Sequence, residues 1–170
     1  MDTWLQECPN CSYVATSLEL PCDAAAVTSA VSQSSQVPLP KGEFFYNLSR
    51  RFAIAALLAE KVEDAKSYWL CCAWIADDAG ERRSQMYCRD KVRECFNAKG
   101  DAKLEERVQL VDVLRRAQRF EEAAELADSL LKRTQDEVLV SVLKFGKEKS
   151  VSLNSDRHTV NDAIGTVSKD

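Results

Sequence analysis

From Leu104 to Arg133 the apolar and small residues recur at helical spacing in two successive stretches. The first carries Val108, Leu110, Val111 and Leu114 on one stripe, and the second carries Ala123, Leu126, Ala127, Leu130 and Leu131. Gln118, Arg119 and Phe120 separate them, so the pattern predicts two antiparallel helices joined by a tight turn. Ala123 and Ala127 have almost no side chain, which lets the second helix approach the first closely. Glu105, Glu106, Arg115, Arg116, Glu121 and Glu122 fall on the polar faces. A similar pattern occurs earlier. Phe45, Leu48, Phe52, Ala55, Ala56 and Ala59 mark a helix over 43–61, Val62, Glu63 and Asp64 make a turn, and Ala65, Trp69, Cys72 and Ala76 mark the helix that follows. A further helix over 81–99 carries Cys88, Val92, Cys95 and Phe96 on one face, with Gly100 as its stop. A last long helix over 136–149 turns Val138, Val142 and Phe145 inward. The fold class expected is all-α: antiparallel helix hairpins stacked in a short array.

The remaining stretches break this pattern. The run from Tyr68 to Ala76 is apolar around the whole helical circumference and must be covered, either by an N-terminal segment bearing Trp4 and Leu18 or by another protein. Residues 27–42 shift to Ser and Gln without a helical stripe, and Pro38 and Pro40 exclude a continuous helix, so a linker is expected there. It is either a tether or an extended segment laid across the helices. The division that follows is a cysteine-containing segment over 1–26, a linker over 27–42, a helical domain over 43–149 and a tail over 150–170. In the tail, Thr159-Val160-Asn161-Asp162 resembles a capping box and starts a turn of helix ending at Gly165. His158, the single histidine, reads as a surface or packing residue.

With Leu104 as position one, Leu110, Val111, Leu114 and Ala123 stand at the seventh, eighth, eleventh and twentieth positions of a 34-residue helix–turn–helix unit, and the hairpin resembles a tetratricopeptide repeat. The family's tryptophan, glycine, phenylalanine and proline positions are here Arg107, Val111, Ala127 and Gln135, so the match is partial. The resemblance implies an interaction module that holds a peptide or protein segment in the groove formed by the first helices of its hairpins. The groove positions are then Asn47, Arg50, Ile54, Leu57 and Leu58 in one hairpin, and Glu105, Val108, Asp112, Arg115 and Arg116 in the other. The arginines among them would favour an acidic partner or one with a free C-terminal carboxylate.

A net charge of −4, with bases and acids interleaved, gives no electropositive face for nucleic acid. No charged-then-apolar leader and no run near the ~20 apolar residues of a membrane span occur, so a cytoplasmic protein is expected. Seven cysteines, an odd number with four in helical patterns, fit reduced thiols better than a disulfide framework. The five glycines form no phosphate-cradling loop, the acids sit as helix-surface pairs, and no nucleophile or histidine–glutamate metal motif appears, so no enzyme is expected.

One motif carries chemistry: Cys8-Pro9-Asn10-Cys11-Ser12. Two cysteines three apart can hold one zinc ion if the turn's N–H groups stabilise the thiolates and the residue after the second cysteine accepts positive φ, a place glycine favours and Ser12 occupies. Cys22 is the candidate third ligand, with His158 farther off. A redox pair, which needs a strand–helix context, and an ordinary turn with free thiols are the other readings. A small zinc-binding or thiol-responsive regulator is thus the alternative function. Cys-Pro-Asn-Cys-Ser-Tyr-Val-Ala, followed by helices and then Asp156-Arg157-His158-Thr159-Val160, also resembles a family of uncharacterised bacterial proteins that pair a CPxCGYxA element with tetratricopeptide-like helices. Fuller members carry a second cysteine pair upstream, where here only seven residues precede Cys8.

Overall fold

A computed structural model of the protein describes residues 5–100 and 102–165. Apart from one short ribbon it is helical, and it resolves into two compact units, Met1–Ala98 and Lys99–Asp170. The division falls inside the 43–149 stretch that reads from sequence as one helical domain.

The first unit begins with strands β1 (Gln6–Glu7) and β2 (Val14–Ala15), paired antiparallel with Gln6 opposite Ala15 and Glu7 opposite Val14. Leu5 and Val14 are buried. Helix α1 (Ala24–Ser34) follows, capped by Asp23, whose carboxylate accepts the Ala25 N–H at 2.9 Å. Much of the expected linker is therefore helix. Val27, Ala30 and Ser34 form a narrow buried stripe built from small residues, which is why Ser and Gln conceal it in the sequence. The segment beyond α1 is packed through Val37 and Pro40.

Helix α2 (Glu43–Leu58) is the centre of this unit, contacted by α1, by β2 and by α3 (Val62–Asp78). Its five consecutive residues Phe52 to Ala56 are all buried, so α2 is covered on every side at that level. On α3, by contrast, Trp74 is 44% exposed while Trp69 is buried. The cover over Trp69 comes from α4 (Arg82–Lys99), whose Tyr87 ring meets it edge-on at 6.1 Å. Leu18 of the expected N-terminal cover is exposed, and Trp4 lies outside the described residues. Helices α3 and α4 are also tied by the buried Arg89, which donates to Asp77 at 2.7 Å, while the buried Cys72 thiol donates to the Ser49 carbonyl of α2 at 3.3 Å. Gly100, at φ 74°, ends α4 in the left-handed conformation that glycine adopts without strain.

The second unit is built from α5 (Leu104–Arg116), α6 (Phe120–Leu131), α7 (Glu137–Val151) and α8 (Val160–Gly165). Its core is Val108, Val111, Leu114, Ala123, Ala127, Leu130 and Leu143. Ala123 and Ala127 are fully buried, as a close α5–α6 approach requires. Gln118 turns the chain at φ 63°, with Arg119 N–H donating back to the Leu114 carbonyl at 2.9 Å. Helix α7 packs on both α5 and α6. It does so through Leu139, Val142, Leu143 and Gly146; of the stripe expected to face inward Val142 packs on the core, Phe145 is half-buried and Val138 is 50% exposed.

Candidate cysteine turn and binding groove

The Cys8–Tyr13 turn closes the β1–β2 ribbon. Cys8 N–H donates to the Tyr13 carbonyl at 2.8 Å, and Ser12 N–H donates to the Cys8 carbonyl at 2.9 Å. Ser12 sits at φ 59°, taking the left-handed conformation in spite of its side chain. This winding brings the backbone N–H groups of Asn10 and Cys11 and the Cys11 thiol to the side of Cys8. These hydrogen bonds lower the Cys8 thiol pKa, because each favours the thiolate. Cys8 is half-buried and Cys11 exposed. The ribbon is held from below: Glu7 accepts from Arg50 through one carboxylate oxygen and from Arg51 Nε through the other at 3.2 Å. Burial works against the Glu7 charge, but the two arginines outweigh it and hold its carboxyl below the usual value. Among the described residues no group of three or more His, Cys, Asp or Glu is placed to hold a metal ion, so Cys22 does not join Cys8 and Cys11 in a common site.

The second unit contains an open cavity of about 370 Å³ between α5, α7 and α8. Val138, Val142, Phe145 and Val160 give it an apolar wall, and Glu105 and Asp112 stand along its α5 side. Val160 is 56% exposed, so this apolar surface is open to solvent. Helix α8 is set in place by a reciprocal cap: Thr159 N–H donates to Asp162 Oδ2 at 2.6 Å, and Asp162 N–H donates to Thr159 Oγ1 at 3.2 Å. The cap's hydrogen bonds lower the Asp162 pKa. His158 packs edge-on against Phe145 at 5.1 Å and shares a hydrogen bond with Asn154 Oδ1 at 3.2 Å, which gives it a packing role in the groove floor.

The structure sorts the groove residues expected from sequence. Glu105, Val108, Asp112 and Arg115 do line this cavity. Arg115, however, is buried, and its Nη1 donates to the carbonyls of Asn154 at 2.8 Å and Asp156 at 2.9 Å while Nη2 donates to Asp112 at 2.6 Å. It is a tie between α5 and the chain leading to α8. Arg116 beside it is half-buried. In the first unit Arg50 holds Glu7, Ile54 is fully buried core and Leu57 is half-buried. Asn47 is exposed beside Phe44, in a shallow depression also lined by Glu43, Leu48 and Arg51. Two of the arginines read as a carboxylate clamp thus have partners inside the chain.

Sequence reasoning missed the α7 and α8 wall of the cavity. The signal was present: Val138, Val142 and Phe145 run alongside Leu139 and Leu143, an apolar face wider than one packing surface needs. Among the described residues no helix is long and apolar enough to cross a membrane. In comparisons with known proteins, no family model, no curated protein and no solved structure matches the chain.

Proposed function

We propose that the protein is a non-enzymatic interaction module, tetratricopeptide-like in its α5–α6 pair, that binds a short protein segment in the cavity between α5, α7 and α8. The observation carrying this reading is the apolar wall of exposed Val138 and Val160 with half-buried Val142 and Phe145, beside the carboxylates of Glu105 and Asp112. Concave apolar surfaces with a few polar groups at the edge are the usual form of peptide grooves. The cytoplasmic, reduced setting expected from the cysteine count belongs to the same proposal.

The charge of the partner follows from which groups stand at the rim. An acidic or carboxylate-ended segment was the expectation from Arg50, Arg115 and Arg116, but Arg50 and Arg115 donate to groups of the chain itself. Asp112 is likewise engaged, accepting from Arg115, while Glu105 is exposed on the rim, so the rim suits an apolar anchor flanked by Lys or Arg. A peptide array probed with the full chain tests this. Binding should concentrate on basic peptides with an aliphatic or aromatic anchor and be lost in Val142→Asp. Preference for acidic peptides, or binding unchanged by Val142→Asp, would overturn the assignment.

A further inference from the structure

We propose that the Cys8–Cys11 turn is half of a tetrathiolate site for a thiophilic divalent cation, Zn²⁺ by its chemistry, and that the same turn of a second copy of this chain supplies the other half. The turn has the form such a half-site needs. Two cysteines are spaced by Pro9 and Asn10, Ser12 N–H donates to the Cys8 carbonyl at 2.9 Å, and the N–H groups of Asn10 and Cys11 favour the Cys8 thiolate. Ser12 adopts the positive φ that lets the second cysteine fold back toward the first. A serine there carries a steric cost that a glycine would avoid.

Structural zinc sites are closed and four-coordinate. The described residues of one chain bring only two ligands to the turn. The remaining cysteines do not supply the others. Cys72 and Cys88 are buried between α3 and α4, Cys71 and Cys95 are half-buried helix residues whose thiols burial pushes up, and Cys22 does not cluster with the pair. A second copy supplies two sulfurs of identical geometry, and a twofold contact through the exposed ribbon tip closes the coordination shell without further residues. Pro9, Asn10 and Cys11 are exposed and leave that tip accessible.

Four thiolates around a divalent cation leave two negative charges, and metal loading releases the thiol protons to the buffer. Glu7, which precedes Cys8, is held by Arg50 and Arg51. The ribbon is also fixed to α2 before metal binds, so little ordering is left to be done on assembly.

The test uses the full chain, reduced and metal-free, titrated with Co²⁺ as a visible probe and followed by sedimentation. Tetrahedral thiolate d–d bands should saturate at one cobalt for every two chains, with the mass doubling along the same curve, and Zn²⁺ should displace the colour. Cys8→Ser and Cys11→Ser should each abolish both signals, while Cys22→Ser leaves both intact. Absence of the thiolate bands in the unsubstituted chain, saturation at one metal per chain without doubling, or loss of the signal in Cys22→Ser would each overturn the proposal.

Discussion

Arg115 shows how a residue's role is fixed by groups the sequence does not advertise. It lies seven residues beyond Val108 and four beyond Val111, so periodicity sets it on the face of the apolar stripe, while its charge makes it read as a solvated or ligand-binding arginine. In the structure its guanidinium is buried and satisfies two main-chain carbonyls some forty positions away. Carbonyls have no side-chain signature, so nothing in the residue pattern points to them. Arg115→Lys keeps the charge but loses the planar fork that reaches Asn154, Asp156 and Asp112 together. It should lower stability by on the order of 2–3 kcal/mol, the scale of charge-assisted hydrogen bonds lost in a buried setting. Chemical denaturation of the two proteins measures this, and an unchanged midpoint would show that the guanidinium is dispensable. Glu7 gives a pH dependence with a definite sign. Its carboxyl is held below its usual value, so the stabilisation is complete above the ordinary glutamate range, about pH 4.3, and disappears as pH falls through the lowered folded value. Amide signals of Val14 and Ala15 should therefore report release of the ribbon from α2 in acid. In Glu7→Gln that titration should vanish, and its persistence would assign the acid step to another group.

Among the elements, the legible ones are those whose large apolar residues recur on one stripe. Helices α2, α4, α5 and α6 lie within a few residues of where the pattern puts them. Helix α1 was hidden because its buried stripe is Val27, Ala30 and Ser34, small or polar residues that sequence periodicity discounts. Asp23 before three alanines was the available signal, an N-cap ahead of the strongest helix former. Helix α7 departs from the expected stripe only in part: Val142 packs on the core, whereas Leu139 and Leu143 take inward places and Val138 does not. Burial settles it: Leu143 is fully buried and Val138 is not. The cysteine spacing is plain in the sequence, but Ser12, at a place where a zinc turn favours glycine, speaks against the positive φ that the structure shows, and the donors that complete a metal shell are not legible from one chain. The α5–α6 contact carries its own prediction. Ala123 is fully buried where the two helices approach, so Ala123→Leu must displace neighbours and should destabilise by about 1–3 kcal/mol. A melting temperature equal to that of the unsubstituted protein would mean that the contact yields at no cost.

On the scale of the whole molecule, the two units each enclose an apolar interior: Phe52 to Ala56, Trp69, Cys72, Val92 and Phe96 in one, and Val108, Val111, Leu114, Ala127, Leu130 and Leu143 in the other. A chain of 170 residues suggests a single domain on length alone, and the boundary at Ala98 and Lys99 runs through the end of α4, where no change of composition marks it. Two cores predict two unfolding equilibria and a failure of two-state behaviour. The placement of tryptophan makes this testable without cutting the chain. The described tryptophans, Trp69 and Trp74, belong to the first unit, so their fluorescence follows that unit, while far-ultraviolet circular dichroism follows helices in both. The two denaturation curves should not superimpose. Ala123→Leu and Arg115→Lys should shift only the part of the dichroism curve that fluorescence does not report. Superimposable curves, with the fluorescence midpoint moving in step with either substitution, would show instead that the chain unfolds as one cooperative body.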